Sequence, residues 1–295
     1  MNIRIHCLET YQSFVFFINI ILLGSLAKAQ DVPCLFDYKH QQAIEQFPEL
    51  SQQETKYEDE LAQYIQNKSL SKSSSTNYII PVVFHVLHDN GIQNISDAQI
   101  CDAITLLNED FGKKNADTIY TISTFTSIAA SAGIEFRLAT IDPSGNPTSG
   151  INRYLTPLTY SANDSSKINQ WPPSQYLNIW VVDSLDIIGG IAGVQGYAYG
   201  PVFANANPNV DGILIRHDCV GRFGSGGPYQ AAFGRILSHE MGHYLNLLHV
   251  WGYSFDVGMY CTGDDYVADT PPTKGSIGCT NLYLSTCGYI DKRRN

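Results

Sequence analysis

The segment HEMGHYLNLLH, residues 239–249, constrains this chain more than any other. His239 and His243 stand four residues apart, so on a helix their imidazoles lie on one face, one turn apart, within reach of a single ion. Glu240 follows the first histidine, where a carboxylate can take a proton from a water at that ion. Imidazole ligands with one coordination position left open suit zinc, which acidifies water and polarises a carbonyl. His249 comes six residues after His243. On a continuous helix it would be carried too far along the axis, so it can ligate only if the chain leaves the helix and turns back. A left-handed residue makes that turn. The residue at that place is Asn246, and asparagine tolerates this conformation better than any residue except glycine.

A formal charge of −10 argues against a nucleic-acid partner, because no basic field is present to neutralise phosphates. The N-terminus reads as a secretory signal over residues 1–29. Arg4 precedes the apolar run FVFFINIILLG, and Ala27 and Ala29 supply small residues for cleavage before Gln30. No later run is long and apolar enough to span a membrane, so no stable insertion is expected once the signal is removed. Residues 30–76 are polar and helix-prone, run into the serine-rich SLSKSSSTN (69–77), and read as a pro-segment with its linker. Residues 77–295 form the expected catalytic domain. Cys7 leaves with the signal. The other six cysteines, Cys34, Cys101, Cys219, Cys261, Cys279 and Cys287, can form disulfides in an exported protein, and their pairing is not readable from the residues.

The globular pattern begins with YIIPVVFHVLHD, residues 78–89, a buried strand by its β-branched density. Residues 95–112 carry apolar positions at helical spacing, with Ser96 as N-cap and Gly112 past the end. Strands are expected at 134–142, 177–185 and 211–221, a glycine-rich irregular connection at 189–201, and a helix at 230–249. The order predicts an α+β layer with the last helix backing the sheet. His85 and His88, three apart on a strand, face opposite sides and read as structural, as does His217.

HEMGHYLNLLHVWG resembles the metzincin zinc signature, and within that clan the pappalysin family of pregnancy-associated plasma protein A and ulilysin type. IPVVFHVLH, DGILI and DDYVADTPP match as well. The resemblance implies a metzincin-like zincin, a twisted mixed sheet with backing and active-site helices, and a secreted zinc endopeptidase acting on polypeptides. It implies zinc ligands His239, His243 and His249, and Glu240 as general base. It further implies a calcium site at Asp265 and Thr270, with Asp264 and Asp269 beside them, and a Cys261–Cys287 cross-link. Cys34 in DVPCLFDYKH resembles the thiol with which some relatives block their zinc; an ordinary disulfide, for instance with Cys101, is the other reading. The family's methionine turn has no counterpart after Met241 and Met259. The expectation is therefore a lower subdomain cut short, with an inactive zinc-binding remnant or binding module as the alternative to an active enzyme.

Overall fold

The computed structural model describes residues 34–69, 77–121, 123–187, 193–226, 233–253 and 264–267. The signal sequence, Thr270, Asp269, Met259, Cys261, Cys279 and Cys287 lie outside these residues, so the expectations placed on them do too.

Strand β1 (Tyr78–His88) is the axis of the sheet, and its last seven residues are buried. One edge of β1 is shared by two short strands. β2 (Ile134–Leu138) pairs with its first half and β3 (Ile151–Leu155) with its second, both parallel. On the other edge lies β4 (Leu177–Val182), followed by β6 (Ile213–Arg216), both parallel, and by the antiparallel edge strand β5 (Gly196–Tyr197). A largely parallel sheet must be covered on both faces, and all six residues of β4 are accordingly buried.

The period of two divides the strands between two cores. Val82, Phe84, Val86, Ile179, Val181, Ile213 and Ile215 face α3 (Asp97–Phe111) and α6 (Ile236–Tyr244). Ser96 caps α3 as expected, its Oγ accepting the Gln99 N–H at 3.2 Å. Leu87, Trp180, Val182, Tyr197 and Leu214 face the other way, toward α1 (Phe36–Gln46), α2 (Glu49–Ser69) and α5 (Pro201–Ala206). A single turn, α4 (Ser123–Thr126), lies between α3 and β2.

Three expectations are corrected. The expected strands are shorter: the first after β1 stops at Leu138, the next at Val182, and the third at Arg216, where a 3-10 turn over His217–Cys219 takes over. β3 and β5 have no strong local pattern. INRYL alternates too weakly to be read as a strand, and β5 is two residues inside the glycine-rich connection. The core also begins earlier than Tyr78. Leu35, Ala43 and Leu50 of the polar N-terminal stretch are each no more than 4 % exposed and complete the second core.

Candidate metal centre

α6 is nine residues long and ends at Tyr244, not at His249. Asn246 has φ 71°. Its N–H donates to the His243 carbonyl at 3.0 Å, while the Leu247 N–H reaches back to the Gly242 carbonyl at 2.8 Å. This pair of bonds is a Schellman motif with asparagine in the left-handed position usually given to glycine. It stops the helix and returns the chain, so His249 folds back beside the residues it follows. Its ring centroid lies 4.6 Å from that of His243 and 5.5 Å from that of His239.

The three imidazoles converge with a fourth donor. One ligand atom each from Cys34, His239, His243 and His249 lies within 4.8 Å of the others, the only group of three or more His, Cys, Asp or Glu of this kind among the described residues. Nε2 of His243 is 3.1 Å from Nε2 of His239 and 3.5 Å from Cys34 Sγ. His243 Nδ1 is 2.7 Å from the Leu247 carbonyl oxygen, a pure acceptor. That nitrogen therefore carries the proton, and Nε2 presents a bare lone pair. His249 Nδ1 faces Asp37 at 3.2 Å, which turns its other nitrogen inward by the same logic. Lone pairs directed at one another leave a cation as the natural partner, and the N,N,N,S donor set fits zinc. Burial, then His239 and His249, hold the His243 ring well below the usual imidazole range, so it stays neutral and able to ligate. Burial, then the Glu240 charge, push the Cys34 thiol up; a divalent cation inverts that balance and favours thiolate.

Glu240 is 2 % exposed. Burial pushes its carboxyl up to about 8, against an opposing hydrogen bond from the Ala198 N–H on the edge strand's side. Its Oε2 is buried and has no partner in the protein. The closeness of the edge strand depends on Gly196, because a Cβ there would lie 3.3 Å from Glu240 Cγ and 3.2 Å from the Leu214 carbonyl oxygen.

Sequence reasoning did not anticipate what stands beside Cys34. Phe36 stacks on His243 with centroids 4.1 Å apart and planes 6° apart, and Asp37 orients His249. The available signal was their place within three residues of Cys34. Cys34 and Cys101 are both free thiols, which removes the disulfide reading between them. Asp265 is not part of the histidine cluster. Its Oδ1 accepts the Val267 N–H at 3.1 Å, in a short segment whose Asp264 carbonyl lies against Gly252. His85 and His88 are buried away from the cluster, as expected of structural residues, and no helix among the described residues is long and apolar enough to cross a membrane.

Comparison with known proteins gives concordant matches. Residues 161–290 match the peptidase family described as pregnancy-associated plasma protein-A. An extracellular metalloprotease of Arthroderma otae is 29% identical over 71% of this chain, which spans 65% of that relative's length; one from Trichophyton verrucosum is 26% identical over 79% of this chain and 74% of its own. Among solved structures, Tannerella forsythia mature mirolysin in complex with a cleaved peptide is 40% identical, with a TM-score of 0.64, covering 73% of this chain and 79% of that one. A promirolysin variant is 34% identical, with a TM-score of 0.68, covering 88% of this chain and 83% of its own. The left-handed turn that returns His249 and the matches on both sides of it agree: the chain belongs to the pappalysin family of metzincin metalloendopeptidases.

Proposed function

We propose that the protein is a secreted zinc endopeptidase kept latent by residues 30–76, with His239, His243 and His249 holding the metal and Cys34 filling the remaining position. One observation carries this reading: three imidazoles and a thiol converge beside a buried carboxyl that has a free oxygen. When bound, zinc supplies Lewis-acid activation of water and of the scissile carbonyl. Glu240 takes the proton from the attacking water through Oε2 and delivers it to the departing amine. The Ala198 N–H holds the other side of that carboxyl, which fixes its direction. A carboxyl held near neutral pH suits a group that must both accept and return a proton. A module that only stored metal would have no use for this arrangement.

Latency draws support from the thiol's position and from the extent of the two mirolysin matches, 88% of this chain for the pro-form and 73% for the mature form. Substrates are polypeptides, which reach the cluster once the pro-segment has left. By resemblance we also assign calcium to Asp265 and Thr270, with calcium-dependent melting as its measure.

Metal analysis and turnover separate the roles. His243→Ala is expected to lose the bound zinc. Glu240→Ala, with the pro-segment removed, is expected to keep about one zinc per chain and to hydrolyse an unfolded protein about 10³-fold more slowly or worse. Undiminished zinc in the first variant, or near-normal turnover in the second, removes that residue from its role.

A further inference from the structure

Behind the histidine cluster, on the second face of the sheet, lies a charged group that the chemistry does not use. Asp164 sits beneath the edge strand, and each of its oxygens takes one ammonium and one phenol. Oδ1 accepts from Tyr197 at 2.9 Å and lies 3.5 Å from Lys167 Nζ. Oδ2 accepts from Tyr199 at 2.8 Å and from Lys39 Nζ at 3.1 Å. Lys39 Nζ also lies 4.7 Å from the centre of the Tyr197 ring and 5.5 Å from that of Tyr199, positions that favour a cation. Burial alone would raise the Asp164 carboxyl; Lys167, then Lys39, bring it below its ordinary range.

The two lysines differ in origin. Lys167 belongs to the same body as Asp164. Its ammonium is fully enclosed and also donates to the Val210 and Gly212 carbonyls. Lys39 belongs to α1, the helix that carries Phe36 and Asp37 onto the zinc-type cluster, and its side chain is 8 % exposed. If α1 leaves, Asp164 keeps Lys167 and both phenols, so no buried charge is orphaned. If α1 returns without an ammonium at position 39, Oδ2 loses its ammonium, and the two phenol rings, which Lys39 and Lys167 share, are left with Lys167 alone. The group can therefore exist in two satisfied states, with and without Lys39. The docked state carries two cations on one carboxylate, and the desolvation of three buried charges offsets part of their attraction.

We propose that Asp164, Tyr197 and Tyr199 form an ammonium-binding site on the catalytic body whose occupant is Lys39 of the pro-segment, and that this contact, separately from the Cys34 thiol, holds the pro-segment closed over the histidine cluster. The proposal rests on the reading of residues 30–76 as an inhibitory pro-segment. Lys39 acts here as a positioning residue: it keeps Cys34, five residues before it, at the histidines.

The experiment uses the zinc-loaded full chain and follows iodoacetamide alkylation of each cysteine by peptide-resolved mass spectrometry. Cys34 reacts only when α1 lifts, whereas Cys219, 1 % exposed in the body, reports opening of the whole fold. Lys39→Ala is expected to speed Cys34 alkylation on the order of 10- to 100-fold while Cys219 stays unchanged. Lys39→Arg, which keeps the cation, is expected to stay near the wild-type rate. Equal Cys34 rates in Lys39→Ala and wild type overturn the proposal, as does a parallel rise at Cys219, which would make the effect global. A wild-type Cys34 that reacts as fast as a free peptide thiol instead removes the pro-segment reading itself.

Discussion

Asn246 decides whether three histidines make one site. With φ 71° it occupies backbone space that costs most L-residues about 1–2 kcal/mol, and a β-branched side chain is the worst fit. Asn246→Gly is expected to match the wild type in stability and zinc content. Asn246→Val is expected to lose about 1–2 kcal/mol in denaturant unfolding and to bind zinc more weakly, because the strain falls on the turn that returns His249. Equal zinc affinity in the valine variant would separate the turn from the metal site. The bond from His243 Nδ1 to the Leu247 carbonyl, made by the same turn, links ligand tautomer to backbone path.

At the level of elements, β1 and β4 are joined by a buried polar pair as well as by their ladder. His85 Nε2 lies 2.9 Å from Asn178 Oδ1, the atom that also accepts the Trp171 N–H. His85 must therefore donate through Nε2, which leaves Nδ1 buried and without a partner. Protonation would create an unsatisfied buried donor, and burial pulls this imidazole down to about 4 against the opposing Asn178 bond. The folded value lies below the unfolded one. The neutral form's contribution is therefore fully present above about 6.5 and is lost as pH falls through about 4. The shift corresponds to about 3 kcal/mol. In urea melts from pH 7 to 4, the wild type should lose about that much more stability than His85→Gln; identical pH slopes would contradict the assignment. α6 shows a different compromise. Its buried Leu237 and Met241 anchor it to the first core, while His239, the exposed member of the histidine cluster, opens toward solvent.

For the molecule as a whole, the N-terminal helices and the histidine cluster belong to one folded state. Leu35, Phe36 and Leu50 are almost fully enclosed, and burying a side chain of this size contributes about 1.5–3 kcal/mol. The N-terminal helices thus form part of the second core. Zinc binds the folded arrangement and not the dispersed ligands. At about a thousandfold excess over its dissociation constant it adds about 4 kcal/mol, or on the order of 10 °C in melting temperature for a chain of this size. Stripping zinc from the full chain with phenanthroline should lower the melting temperature by that amount, and re-adding zinc should restore it. Calcium should then add a smaller increment that Asp265→Ala alone abolishes. A melting temperature indifferent to both metals would mean that neither site is coupled to folding.

The local facts of the chain already pointed to the three histidines that the fold brings together. A four-residue histidine spacing places two rings on one helix face, and an asparagine three residues after His243 allows the turn for a third. The long apolar run of β1 and the capped pattern of α3 were legible for the same reason: neighbouring residues carry the signal. What required the tertiary structure was everything that depends on distant partners. β3 and β5 exist because β1 and β6 offer edges, not because INRYL or Gly196 favours a strand. Glu240 acquires its raised carboxyl from burial beneath that edge strand. Lys39 appears as one more charge on a polar helix until folding sets it against Asp164, 125 residues away. Periodicity and spacing report which face a side chain takes; burial and long-range pairing, which set its charge and its partner, come into being only when the sheet closes around it.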